Sequence, residues 1–275
     1  MGSQHPDTLT YVEAPLNYTA PLAGKPARYI DAPRDGVYAN QAQDDVRTVP
    51  VRDARPILPT LSLDVQGFAV LQGASALADF SDAKRVRDVY YPEVEELVRE
   101  AAGAVHVIAF DHNVRHGDAG QHPDGRGIRG PAKRVHNDYT LASGPRRARE
   151  LLPPEQADEL LKRRFAIINL WRPIRPVEEA PLAICDARSI RPDDFVATDL
   201  KYQSRTGEIY SVNYNPAHRW FYLPRMRADE ALLLKCYDSA TDVARFTAHG
   251  AFDDPTSPPD ARPRESIEVR TLALF

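Results

Sequence analysis

In the run Arg134-Val135-His136-Asn137-Asp138-Tyr139-Thr140, a histidine and an aspartate stand two positions apart. The run is strand-like, and side chains at i and i+2 of a strand leave the same face. A neutral imidazole beside a carboxylate is two-thirds of a two-histidine, one-carboxylate facial set. That set holds non-haem Fe(II) and leaves its other coordination positions open. His249, in Arg245-Phe246-Thr247-Ala248-His249-Gly250-Ala251-Phe252, can complete it. His218 competes, but it sits in the turn-like Asn215-Pro216-Ala217-His218. His249 is favoured because Arg264-Glu265-Ser266 follows it, opening a strand-like run to Phe275. Arg264 and Ser266 would share a strand face, where a guanidinium grips a carboxylate bidentately and a hydroxyl adds a third hydrogen bond. That is what the distal carboxylate of 2-oxoglutarate needs. The 2-oxo acid end of that cosubstrate, with O2, would take the open positions on iron. Arg270 lies on the same face with Glu268 beside it, and reads as a structural ion pair.

Other polar residues are weaker candidates. Asp111, His112, Arg115, His116, Asp118, His122 and Asp124 fall among glycines between 111 and 133. No strand would fix their geometry for a catalytic metal. The segment is expected to be a mobile active-site loop ordered by substrate, in which Arg115, Arg126 or Arg129 could meet a substrate carboxylate. Tyr139, beside Asp138, is a further substrate candidate. Phe165–Pro173 is the clearest buried strand, with Ile167, Asn169 and Trp171 on one face. A polar residue in so apolar a run needs a partner. Asn169 and Trp171 are therefore pocket candidates, although Asn169 could equally satisfy a neighbouring backbone.

Many short strands separated by turn signals must position these groups. Residues 1–60 read as an N-terminal extension of short strands and proline-punctuated loops that packs on the core. Within it, Thr48-Val49-Pro50-Val51 should be an edge strand, because proline cannot donate to a ladder. Residues 61–275 read as the catalytic domain. Ser62–Leu71 suggests a strand or strand pair. Ser81 or Asp82 can cap a helix through Val86, Tyr90, Val94 and Val98, interrupted at Pro92 and ended by Gly103. Helices are also expected from Ser143 and from Pro153. Strands should follow near 182–186, 208–214, 220–223 and 231–237. The expected fold is mainly β with flanking helices, a jelly roll whose two sheets enclose a ligand cavity.

Composition excludes several classes. The chain has 275 residues and a net charge of −4, with no basic block that would suit nucleic acid. No apolar run is long enough to span a membrane, and the polar Met1–Pro6 opening does not read as a signal peptide. Cys185 and Cys236 lie in apolar runs and read as buried free thiols of a cytoplasmic protein.

The runs Asn169–Pro173, Pro181-Leu182-Ala183, His218-Arg219-Trp220, Tyr237-Asp238-Ser239, His249–Phe252 and Pro263–Arg270 resemble the CmcJ/AsaB family. The resemblance covers roughly residues 60 to 275. It implies a double-stranded β-helix and Fe(II)/2-oxoglutarate-dependent oxidation of an unactivated C–H bond in a small natural product. Hydroxylation, desaturation and work beside a partner tailoring enzyme are all compatible with it. Two other classes stay open: an accessory protein of the same fold, and a metal-dependent dioxygenase or isomerase that does not use 2-oxoglutarate.

Overall fold

A computed structural model describes residues 8–117 and 130–275. In chain order, the first elements are β1 (Tyr11–Thr19), β2 (Ala27–Tyr29), β3 (Asp44–Asp53), β4 (Phe68–Gln72), α1 (Ala83–Arg85), α2 (Tyr91–Ala102) and β5 (His106–His116). Then come β6 (His136–Asn137), α3 (Ser143–Leu151), α4 (Pro154–Leu160), β7 (Phe165–Pro173), β8 (Leu182–Cys185) and β9 (Phe195–Lys201). The last are β10 (Thr206–Val212), β11 (Trp220–Tyr222), β12 (Glu230–Asp238), β13 (His249–Ala251) and β14 (Glu265–Leu274). They form a jelly roll: a nine-stranded sheet ordered β1-β3-β11-β8-β13-β6-β10-β9-β2 faces a five-stranded sheet ordered β4-β12-β7-β14-β5.

Strand alternation builds the layers. Ala166, Ile168 and Leu170 of β7 face outward with Ile267 and Val269 of β14, and α2 covers them through Val94 and Val98. Burying each of those two valines contributes about 1.5–3 kcal/mol. The opposite face of β7 carries Trp171 into the space between the sheets, where it meets Leu232 and Leu234 of β12 and Ile184 of β8. The outer face of the nine-stranded sheet is covered by its own β1 and β3, through Leu16, Tyr18, Val49 and Val51. Cys185 and Cys236 are buried and free. Among the described residues no helix is long and apolar enough to cross a membrane.

Three expectations are corrected. β3 is not an edge strand, since it lies between β1 and β11. Its β11 flank pairs only from Val51 to Asp53, so the N–H that Pro50 lacks is not called for there. Ser62–Gly67 is a turn rather than a strand, closed by the Ser62 carbonyl accepting from the amides of Val65, Gln66 and Gly67. Asp111–His116 is not loop but the second half of β5, paired with β14 from Arg270 back to Glu265. Asp118, His122, Asp124, Arg126 and Arg129 lie outside the described residues. The helix is interrupted, but just before Pro92 rather than at it, by a π-type turn over Val86–Tyr90 between α1 and α2. Pro92 falls in the first turn of α2, where a missing N–H costs nothing.

Gly67 ties this scaffold to β13. It has φ +85°, and a Cβ there would stand 2.3 Å from Thr247 Oγ1. Thr247 donates through that same Oγ1 to the Gly67 carbonyl at 2.7 Å. Gly67→Ala is therefore expected to cost about 1–3 kcal/mol from backbone strain, plus the displacement of Thr247. Urea unfolding would measure it, and an unchanged midpoint would show that the turn is free to move.

Candidate functional site

β6 and β13 are adjacent antiparallel strands with His136 directly opposite His249. Cross-strand neighbours have Cβ atoms about 4.5–5.5 Å apart, so this register alone places the imidazoles together. Their ring centroids are 4.6 Å apart. Both rings are oriented alike. His136 Nδ1 donates to the Arg134 carbonyl at 2.8 Å, and His249 Nδ1 donates to the Thr247 carbonyl at 2.9 Å. A carbonyl can only accept, so Nδ1 carries the proton in each ring. Each Nε2 is left with its lone pair aimed inward, the tautomer a metal requires.

Asp138 lies just past the end of β6, and its Oδ1 stands 3.5 Å from His136 Nε2. Its other oxygen is already held. Oδ2 accepts from Asn169 Nδ2 at 2.8 Å and from Arg270 Nε at 3.0 Å. One ligand atom from each of His136, Asp138 and His249 falls within 4.8 Å of the others. Burial by itself would raise the Asp138 carboxyl, but Arg270, His136 and His249 outweigh it and hold the group well below the usual carboxylate range. Burial, with His136 beside it, lowers His249. The trio thus presents one carboxylate and a second imidazole held neutral, a donor set that suits Fe(II).

The second half of the site stands at the start of β14. Ser266 pairs with Arg115 of β5 on one side and Pro173 of β7 on the other. Arg264 is only 2% exposed. It donates from Nη1 to the Ala180 carbonyl at 2.6 Å, and its guanidinium carbon lies 5.4 Å from the Trp171 ring centroid. Its Nε and the Ser266 Oγ are buried without a partner among the described residues. Burial, then the Arg115 cation, pull the Arg264 guanidinium down to about 9. A buried cation short of an anion, beside a buried hydroxyl short of an acceptor, matches the end of a dicarboxylate.

Arg270 is not confined to the ion pair with Glu268, which is present at 3.1 Å. It also reaches Asp111 at 2.9 Å, and its bond to Asp138 joins it to the His136–Asp138–His249 cluster. The alternation Ser266-Glu268-Arg270 placed it on the right face. What sequence reasoning missed was the partner, because Asp138 comes from another sheet. Asn169 satisfies Asp138 rather than backbone, and Trp171 lies against Arg264. His218 is elsewhere: its Nε2 meets Asp194 at 3.1 Å, and its Nδ1 meets the Tyr18 hydroxyl at 3.3 Å. His106 is exposed at the start of β5.

Two cavity lobes meet at Asp138 and Arg270. One, of about 680 Å³, is bordered by Tyr139, Arg146 and Glu208. The other, of about 580 Å³, is bordered by His136, Arg115 and Arg28. Leu200, Tyr202 and Arg205 of the β9–β10 hairpin border both. A larger hollow of about 750 Å³ is floored by Phe195, Tyr210 and Phe246 and is bordered by none of the three clustered residues.

Residues 16–274 match a family model described as "Oxidoreductase/YMDC permease-like domain". The chain is 33% identical to the Fe(II)/2-oxoglutarate-dependent dioxygenase nvfI of Aspergillus novofumigatus, over 96% of this chain and 97% of that protein. It is 42% identical to the hydroxylase/desaturase asaB of Aspergillus flavus over a shorter stretch, 44% of this chain and 60% of that protein. A solved structure of a variant of the iron and alpha-ketoglutarate-dependent endoperoxidase NvfI superposes with a TM-score of 0.88 at 30% identity, over 100% of this chain and 99% of that one. Similarity of this extent in both sequence and structure leaves one assignment: the chain belongs to the CmcJ/AsaB family of Fe(II)/2-oxoglutarate-dependent oxygenases of secondary metabolism.

Proposed function

We propose that His136 Nε2, His249 Nε2 and Asp138 Oδ1 hold the Fe(II) of this oxygenase. Arg264 and Ser266 take the distal carboxylate of 2-oxoglutarate, and the substrate is a small natural product oxidised at a C–H bond in the cavity beside them. The observation that carries the reading is the shared Nδ1 arrangement, which points two lone pairs and one free carboxylate oxygen at a common point. The name of one relative, an aspirochlorine biosynthesis protein of Aspergillus oryzae, supports the substrate class.

The chain's own residues do three things. The Arg134 and Thr247 carbonyls fix the histidine tautomers, so no proton has to leave an imidazole before metal enters. Asn169 and Arg270 occupy one Asp138 oxygen, which makes the carboxylate a one-oxygen ligand and keeps it ionised. Arg264, Ser266 and Trp171 provide a dry cationic seat for the cosubstrate's far end. The bound iron would supply activation of O2, whose four-electron reduction takes two electrons from the conversion of 2-oxoglutarate to succinate and CO2 and two from the substrate.

Anaerobic Fe(II) and 2-oxoglutarate titration, followed by succinate measurement in air, tests this. One iron per chain and iron-dependent succinate are expected, even without added substrate. Succinate formed equally with and without iron would sink the reading.

Arg270 gives a sharper test of the metal geometry. Arg270→Gln removes the charged hydrogen bond to Asp138 and leaves Asn169 alone to orient it. Changes in residues that orient ligands typically cost 10–100-fold in metal affinity or activity. We expect a loss of that size in Fe(II) affinity, with 2-oxoglutarate binding at saturating metal nearly unchanged. Unaltered metal affinity would reduce Arg270 to a structural ion pair with Glu268 and Asp111.

A further inference from the structure

The lobe bordered by His136 carries more positive charge than the proposed iron chemistry uses. Six cationic side chains line it against two carboxylates, Asp111 and Asp138. Both carboxylates are engaged by Arg270. Most of the cations are engaged too. Arg134 pairs with Asp44 at 2.6 Å, and Lys133 pairs with Asp253 at 2.7 Å. Arg115 stands across the strand pair from Ser266 and donates to the Gly130 carbonyl at 2.9 Å.

Arg28 and Arg205 remain. Arg28 is 8% exposed. Among the described residues its one hydrogen bond runs from Nη2 to Thr19 Oγ1 at 2.8 Å, while its Nε is buried with no partner. A buried guanidinium that makes no ion pair is costly. Burial, then the neighbouring Arg134, lower it to about 10 against the opposing pull of Asp44, which is paired with Arg134. Arg205 lies over the Tyr202 ring, 4.4 Å from its centroid, and makes no ion pair among the described residues. Both are mounted on one unit. β2 pairs with β9 with Arg28 opposite Leu200, β9 pairs with β10, and Arg205 sits in the connecting turn, where its carbonyl accepts from Tyr202 N at 3.0 Å. Beside Asn113, the wall carries apolar and aromatic side chains, with Tyr29, Ile30, Val114, Leu200 and Ile209 among them.

We propose that the substrate is a hydrophobic carboxylic acid whose carboxylate is received by Arg28 and Arg205, with its apolar body lying along Leu200 and Ile209 toward His136. The inference rests on the oxygenase reading above and adds the substrate class to it. The geometry sets the order of parts: the acid is held at the β2–β9 edge of the sheet, so the carbon presented at the metal lies along the body rather than next to the acid. A carboxylate at Arg28 could also come from 2-oxoglutarate, and the variants separate the two sources.

The test uses full-length protein with Mn(II) in place of Fe(II) and saturating 2-oxoglutarate, titrated calorimetrically with decanoate and with decanamide. Decanoate is expected to bind at least about tenfold tighter than the amide, one power of ten being ~1.4 kcal/mol. Arg205→Gln and Arg28→Gln should each remove most of that preference while leaving amide binding alone. Arg205→Gln is the safer variant, since its side chain lies in a hairpin turn and supports no buried bond. Separate 2-oxoglutarate titrations of both variants should match the parent protein. Equal affinity for acid and amide, no measurable decanoate binding, or a preference that survives both substitutions overturns the proposal. A 2-oxoglutarate constant that rises in Arg28→Gln also overturns it and makes Arg28 part of the cosubstrate seat. Normal 2-oxoglutarate binding in the parent protein alongside any of these failures leaves the oxygenase reading standing.

Discussion

Replacing His136, Asp138 or His249 by alanine is expected to bring iron-dependent succinate formation down to background in each case. The three contribute one ligand atom apiece, within 4.8 Å of one another, and no further residue joins that group among the described residues. Loss of a ligand should exceed the 10–100-fold penalty typical of the residues that merely orient one. The three variants should differ in stability. His136→Ala and His249→Ala each give up one hydrogen bond to a carbonyl, worth about 0.5–1.5 kcal/mol. Asp138→Ala takes a carboxylate from a buried guanidinium, but Arg270 keeps Glu268 at 3.1 Å and Asp111 at 2.9 Å, so its charge stays compensated. All three should fold, and metal content measured beside thermal unfolding separates lost chemistry from lost structure. His249→Ala with full activity, together with an inactive His218→Ala, would show that the wrong histidine has been assigned. The burial of His218 between Asp194 and Tyr18 argues against that outcome.

Arg264→Gln should raise the apparent 2-oxoglutarate constant by one to several powers of ten while leaving Fe(II) affinity nearly intact. Truncating one partner of a buried, hydrogen-bonded charge pair costs about 2–5 kcal/mol, and each power of ten corresponds to ~1.4 kcal/mol. The glutamine ends near the position of Arg264 Nε, two bonds short of Nη1, so the bond to the Ala180 carbonyl is given up, at about 0.5–1.5 kcal/mol. The substitution also relieves the protein of a buried cation without an ion-pair partner. These effects oppose each other, so the variant without ligand should stay within about 1.5 kcal/mol of the parent, and a large loss of cosubstrate affinity beside near-parental stability marks a ligand-binding residue rather than a structural one. A Ser266→Ala companion should show a smaller rise, of about tenfold or less, since it removes a neutral donor. If Arg264→Gln leaves the constant unchanged and Arg270→Gln raises it, the cosubstrate reaches deeper along β14 than Ser266.

The proposed ligand trio and anchor could be picked out in the sequence because each candidate rests on a local rule. Strand alternation fixes which residues leave one face, and it placed His136 near Asp138, Arg264 near Ser266, and Asn169 with Trp171 on the inner side of β7. The main helix was legible through its caps. Asp82 accepts from the amides of Lys84 and Arg85, and Gly103 ends the last turn at φ +68°. Pro50 misled because a proline excludes a strand from a sheet interior only where its amide is needed, and the sequence does not say where β11 begins to pair. Residues 111–116 misled because their charged side chains imitate a loop, whereas their partner strand β14 lies more than a hundred residues away. Between-sheet pairing was invisible for the same reason. Asp138 meets Arg270 and Asn169 only once the two sheets have closed on each other, and Arg28 shares a cavity wall with Arg205 only once β2 has paired with β9, more than 160 residues away in sequence. Sequence spacing determines direction along a single element, and so it named the donors. Closure of the jelly roll decides which donors satisfy one another, and so it alone left Arg264, Ser266 and Arg28 with capacity to spare.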